Sequence, residues 1–289
     1  VLKIIEKTKL WFSASLIVIL IGMGFIATKG LNFGIDFKGG TQLVIEMGKD
    51  FQKPEVDEII KKYDTSALTN KIENTKIEIK SNSLTDENSK KMLEELKQKY
   101  NLNEKSIESQ DYIGSSIGKE STNKAYIALL VAVAFMLIYV GMRFEFRFGA
   151  AAILALVHDV LITLSVYAIF QIPVNSPFIA AILTIIGYSI NDTIVIFDRI
   201  RENQKNMRRK SIEEVANISI TQTMRRSINT SLTTLITIVC VYIFVPTVRD
   251  FSFPLIIGIA TGTYSSIFIA SPIWVLLKKK NKKVNAKVA

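Results

Sequence analysis

The residues best able to do chemistry in this 289-residue chain sit in one apolar stretch, Ile179 to Arg201, IAAILTIIGYSINDTIVIFDRIR. It is long enough to cross a bilayer, yet Asn191 and Asp192 interrupt it near its charged end. An ionised side chain at such depth costs about 2.5 to 3.5 kcal/mol on insertion scales, so its presence points to a task. Desolvation favours the neutral form of a carboxyl and a neighbouring cation favours the charged form; held between the two, the group can gain or lose a proton. The bland alternative is a buried carboxylate that only ties helices together. Arg226 is the candidate cation, because the next apolar run sets out from the same face. Asp198 to Asp192 is about 9 Å of helix, within reach of an arginine extending along its own helix. Arg225 and Arg226 would serve equally well as basic anchors at the membrane edge.

His158 and Asp159 lie near the middle of another apolar run, Phe148 to Phe170. They could extend a polar path, although adjacent helical positions point about 100° apart and both cannot face one partner. Equally, a neutral His158 could be satisfied by a neighbouring helix. Asn229, Thr230, Ser231, Thr233 and Thr234 form a polar stripe, and Ser189 lies one turn before Asp192; small hydroxyl residues in such helices are usually interhelical glue. Gly258, Gly262 and Ser266, spaced four apart, read as a close-packing seam. Asp36 with Gly39 and Gly40 matches neither a P-loop nor a dinucleotide fingerprint and reads as a turn at a membrane exit. One cysteine, Cys240, and one histidine leave no material for a disulfide framework or for a Cys- or His-rich metal site. No cofactor is expected, and without a nucleophile–base pair or paired acids an enzyme is not expected either.

These groups need elements to hold them. At 49% hydrophobic residues the chain belongs to the membrane class. The formal charge of +10 is uneven: positions 29–123 carry 15 lysines, no arginine and 17 acidic residues, and the rest carries 21 basic against 9 acidic. Basic residues that flank apolar runs mark a cytoplasmic membrane face, not a nucleic-acid groove. Six runs are long enough to span: Leu10–Ala27, Ala125–Met142, Phe148–Phe170, Phe178–Phe197, Ile228–Val245 and Ser252–Leu277. The first follows Lys3, Lys7 and Lys9 and reads as a retained span, since no small-x-small cleavage pattern follows it.

The expected organisation is a cytoplasmic N-terminus and first span over 1–28, and an extracytoplasmic α+β domain over 29–123. Spans two to six follow over 124–277, with a cytoplasmic loop at 199–226, and a basic cytoplasmic tail over 278–289. Both termini are expected inside. Within the domain, Thr41–Met47 and Lys71–Lys80 alternate like strands and Lys105–Ile113 reads as a third. Pro54–Tyr63 and a segment capped by Thr85 and running to Tyr100 have helical spacing. That order fits a small ferredoxin-like sandwich. The fold class is thus a membrane α-helical protein, six spans arranged one plus five, with an extracytoplasmic ferredoxin-like domain.

Six stretches carry a further likeness: FGIDFKGGT, YIGSSIGKE, LVHDVLIT, GYSINDTIVIFDRIRE, RRSINTSLTT and IGIATGTYSSIFIASP. In order, and over nearly the whole chain, they resemble the SecF family of bacterial protein-export membrane proteins, with Ser115 where the family more often has proline. The resemblance implies a subunit of the SecDF complex, similar in architecture to the resistance-nodulation-division superfamily. It implies pairing with SecD, association with the SecYEG translocon and YajC, a plasma-membrane setting among lipids, and proton-driven assistance to preproteins leaving the channel. It also assigns the proton path to Asp192 and Arg226, completed by a carboxylate on SecD, and makes Asp36, Gly39 and Gly40 a family motif. Two rivals remain: a scaffold that holds SecD to the channel without coupling of its own, and a small-molecule or lipid exporter.

Overall fold

A computed structural model describes residues 1–84 and 86–288; the cap expected at Thr85 lies outside them. Among the described residues, six helices are long and apolar enough to cross a membrane. The first, α1 (Thr8–Lys29), ends at Gly30, whose φ of 74° breaks the helix. A single helical turn, α2 (Ile35–Lys38), leads into the sheet domain: β1 (Gly40–Glu46), α3 (Lys53–Tyr63), β2 (Leu68–Ile72), β3 (Lys76–Ser81), α4 (Asp86–Tyr100) and β4 (Ile107–Ile113). The strand order is β2-β3-β1-β4, all pairs antiparallel, which with two helices gives the ferredoxin-like βαββαβ arrangement. Alternation puts Leu43 and Ile45 of β1 and Ile77 and Ile79 of β3 on one face. That face packs with Val56 and Ile59 of α3 and Met92 and Leu96 of α4 in one apolar core.

Where the pattern Lys71–Lys80 reads as one strand, the chain makes a hairpin. Glu73 and Asn74 adopt φ of 49° and 61° between β2 and β3. Asparagine tolerates that left-handed conformation, and no glycine marks the turn.

The five remaining spans start with α5 (Ser115–Arg143), α6 (Phe146–Ile169) and α7 (Ser176–Asn206), and continue with α8 (Ile212–Phe244) and a last span built from α9 (Arg249–Ser265), a π-helical turn (Ser266–Ala270) and α10 (Ser271–Val288). The stretch 199–226, expected as a loop, is helical except at 207–211. α7 runs on past its apolar part, and α8 starts early because Ser211 and Glu214 form a capping box, Ser211 N to Glu214 Oε2 at 2.8 Å. Arg225 and Arg226 therefore lie well inside α8. The spans divide in two: in the most apolar stretch of α6, α7 and the last span 56%, 50% and 56% of residues are buried, whereas in that of α1, α5 and α8 only 11%, 6% and 11% are. Three helices make the core and three present their sides outward. The sheet domain sits at one end of the bundle, between α1 and α5; the basic segments gather at the other.

Candidate functional site

Asp192 lies on α7 where that helix packs against α8 and α9. It is 5% exposed. Its carboxylate has one hydrogen bond among the described residues, from Ser231 Oγ of α8 at 3.4 Å, and Ser231 in turn accepts from Thr263 Oγ1 of α9 at 2.5 Å. Ser227 Oγ, buried beside it, faces the carboxylate as a second donor, although no hydrogen bond of good geometry forms there among the described residues. Residues 227 and 231 are one turn apart and share the face of α8 that meets Asp192. Arg226, one position earlier, is turned about 100° away and is exposed. Its charge acts on the carboxylate through space, yet no ion pair within 4.0 Å joins them among the described residues. The acid is thus deep in the bundle with little fixed bonding, and its expected cation waits at its side.

Asp159 is different. On α6, it is 0% exposed and accepts from Ser189 Oγ of α7 at 2.6 Å and from Ser265 Oγ of α9 at 2.8 Å. His158 Nδ1 lies 3.0 Å from its other oxygen, and His158 Nε2 lies 2.8 Å from Ser15 Oγ of α1. The adjacent pair does diverge, with Asp159 facing α7 and α9 while the imidazole reaches α1, but the ring turns one nitrogen back to the carboxylate. This cluster joins four helices. Nearby, Thr193 and Ser266 share a hydrogen bond at 2.8 Å.

The seam of small residues does allow close approach. A Cβ on Gly258 would stand 2.2 Å from Ile185 Cδ1, and one on Gly262 would stand 3.0 Å from Ser189 Cβ. Asn191 does not join the buried acids; it is exposed on α7, on the same side as Thr184 and Gly187. Exposed Arg225, Arg226, Asn229, Thr230 and Thr233 add to that outward polarity on α8. Several of the threonines bond back to their own helix, as Thr230 does to Arg226 O at 3.0 Å. The arginines have no hydrogen bond or ion pair among the described residues. A spanning helix with such a face is poorly suited to lipid and well suited to another polar helix.

Asp36 serves a different purpose. Its Oδ2 accepts from the Ser176 backbone N–H at 2.7 Å, so the exit loop of the first span caps the helix that carries Asp192. Gly39 and Gly40 have φ of 83° and 149°, and a Cβ on Gly40 would stand 2.3 Å from the Ser81 carbonyl oxygen. That motif is a joint between membrane and sheet, built where side chains do not fit.

Sequence reasoning missed Ser265 as a donor to Asp159 and Thr263 as the donor to Ser231 behind Asp192. The available signal was the hydroxyl run Thr263, Tyr264, Ser265, Ser266 directly after Gly262. It also missed Asp250, Asn175 and Lys80, which meet where the sheet domain rests on the bundle. Asp250 accepts from Asn175 Nδ2 at 2.8 Å and from Lys80 Nζ at 3.3 Å. Two apolar grooves that include α5 and α6 residues hold about 210 and 200 Å³, below the ~300 Å³ at which small-molecule pockets usually begin.

Comparison with known proteins gives this arrangement a family. The model of the C-terminal region of protein export membrane protein SecD/SecF matches residues 91–280, and the SecD/SecF GG motif matches residues 24–50. The protein translocase subunit SecF of Haemophilus influenzae is 38% identical over 276 residues, covering 92% of this chain and 82% of its own. That of Sebaldella termitidis is 39% identical over 289 residues, covering 97% and 93%. Among solved structures, SecDF from Thermus thermophilus, a translocon-associated membrane protein, superposes with a TM-score of 0.81 at 34% identity; the match covers 96% of this chain but only 39% of that longer one. With most of its length matched by the family model and more than nine-tenths of it shared with such relatives, the chain belongs to the SecF family of SecD/SecF export membrane proteins.

Proposed function

We propose that this chain is a subunit of the protein-export translocase that works beside SecD and couples the proton gradient to late steps of preprotein export. The names of its relatives and of the SecDF structure support the transport role and the SecD partnership; a transport subunit has no need of a catalytic centre. The polar outward face of α7 and α8 is where a SecD helix with its own carboxylate would sit, and Arg226 would then lie between two acids. SecYEG and YajC would be further partners and the bilayer the surrounding medium. The basic end would be cytoplasmic with both termini, and residues 29–123 would face the far side, because long domains translocate largely regardless of charge.

The observation that carries the coupling is the loosely bonded Asp192, buried with one long hydrogen bond from Ser231, a loosely placed Ser227 hydroxyl beside it, and the field of Arg226. Taking up a proton there removes a negative charge from the α7–α8–α9 contact. Helices move only if the two protonation states favour different packings. Asp192→Asn is expected to leave the complex assembled while abolishing gradient-dependent export into inverted vesicles. Collapsing proton and sodium gradients separately identifies the ion. Normal export by Asp192→Asn would remove the coupling. The lack of a direct Asp192–Arg226 pair favours a second reading, a scaffold that leaves coupling to SecD; normal export by that variant beside failure of a deletion strain selects it.

A further inference from the structure

Helix α9 touches everything the coupling would have to connect. Thr263 holds the serine that bonds Asp192, and Ser265 bonds Asp159. Thirteen residues earlier, about 20 Å along the helix, Asp250 in its first turn meets the sheet domain through Lys80 of β3 at 3.3 Å. An acid in the first turn is favoured by the helix dipole, and Pro254 lacks the N–H that would close the turn on the Asp250 carbonyl. The side-chain ties of Asp250 therefore do much to fix this end of the helix. Asn175, just before α7, supplies the second tie at 2.8 Å and is 4% exposed. Lys80 also lies 3.2 Å from Glu78, and although burial works against its charge, Asp250 and Glu78 outweigh it and hold its pKa above the ordinary lysine value. The lysine stays charged and the pair stays paired. Beside it lies a cavity of about 270 Å³ lined in part by Leu68, Lys80, Asn82 and Asn175.

We infer that Lys80 and Asp250 are positioning residues, forming the joint through which a shift of α9 is passed to the sheet domain. The inference rests on the coupling reading above. The joint acts as a held contact, so removing the charge from either side uncouples the domain from the helix without removing the helix.

The test uses the full chain with its partners in spheroplasts, in a Cys240→Ser background so that Leu68→Cys, at the edge of the cavity, is the one thiol. The rate at which a charged maleimide modifies that thiol is read with the gradient present and after an uncoupler, alongside export. With the native joint the rate is expected to depend on the gradient. Lys80→Met and Asp250→Asn are each expected to lose that dependence and to lower gradient-stimulated export roughly tenfold. Lys80→Arg and Asp250→Glu are expected to keep both. Because the two neutral variants lie on different elements, misfolding of one, seen as loss from the membrane, leaves the other as the test. Retention of the gradient response in a folded neutral variant overturns the joint, and so does its loss in both conservative variants. Asp192→Asn run in parallel separates the two claims. If it exports normally the coupling reading falls and takes the joint with it; if it stops export while both neutral variants respond like the native chain, the joint alone falls.

Discussion

Two carboxylates lie buried in the same bundle and are bonded very differently. Asp159 is met by two hydroxyls at 2.6 and 2.8 Å and by an imidazole nitrogen at 3.0 Å, from side chains on α7, α9 and its own helix. Asp192, about a turn further along α7 from the serine that bonds Asp159, has one hydroxyl at 3.4 Å and beside it the Ser227 hydroxyl, which forms no hydrogen bond of good geometry among the described residues. Burial is nearly equal, so burial does not tell them apart. The number and length of donors does. A carboxylate with its acceptor sites filled is a strut, because any change in its charge leaves several buried groups unmatched. One with few fixed donors can change state at smaller structural cost, which is what a group that loads and unloads a proton requires.

The contrast can be broken by experiment. Asp159→Ala takes the carboxylate from Ser189, Ser265 and His158 Nδ1 in a sealed site and is expected to cost about 3 to 5 kcal/mol, whereas Asp192→Ala costs about 1 kcal/mol. Thermal unfolding of the purified protein in detergent measures both, and equal losses would erase the distinction. Gly262→Ala comes next. Its Cβ would press on Ser189, the donor to Asp159, and overpacking of this kind costs about 1 to 3 kcal/mol. Combined with Asp159→Ala its effect is expected to shrink, and combined with Asp192→Ala to add, which a pair of double-mutant cycles resolves.

The smallest effect concerns a third acid, Asp64, in the water-facing sheet domain. Burial works to raise its pKa, but hydrogen bonds from Ser66 and Ser81 outweigh it and hold the carboxyl below the usual range. Its stabilising contribution is then fully present above the unfolded value, about 3.9, and is lost as pH falls through the lower folded value. Hydrogen exchange at β3 amides in the intact protein is expected to speed up in that acidic window, and Asp64→Asn to flatten the change.

Much of this was legible in the sequence because membrane and sheet patterns are both periodic. Six apolar runs gave six spans, and the strands at Thr41–Met47 and Lys105–Ile113 and the helix at Pro54–Tyr63 announce themselves by spacing. The β2–β3 hairpin did not, since its turn uses Glu73 and Asn74 in place of glycine and alternation continues through it. The helical extensions of α7 and α8 did not either: they leave the apolar region, and what sustains them is capping and polar pairing such as Asn203 with Ser219 at 2.9 Å. Asp192 stood out as an acid in an apolar run. Ser231 stood in a legible polar stripe, but its pairing with Asp192 and the threonine behind it did not show, because which serine meets which acid depends on helix rotation, and a single chain's pattern leaves rotation undetermined.

The π-helical turn at Ser266–Ala270 has a consequence of its own for how the last span can change. Before it, Thr263 and Ser265 aim hydroxyls at the polar interior; after it, Trp274 stacks on Phe148 at 4.9 Å and Lys278 lies over Trp274 at 5.6 Å. An unbroken α-helix would carry one angular phase through both segments. The wider turn resets that phase, so the aromatic anchor and the hydroxyl segment are aligned independently. Substitutions that re-seat the anchor need not rotate the hydroxyls out of place, and each half of the span is free to drift in sequence without dragging the other with it.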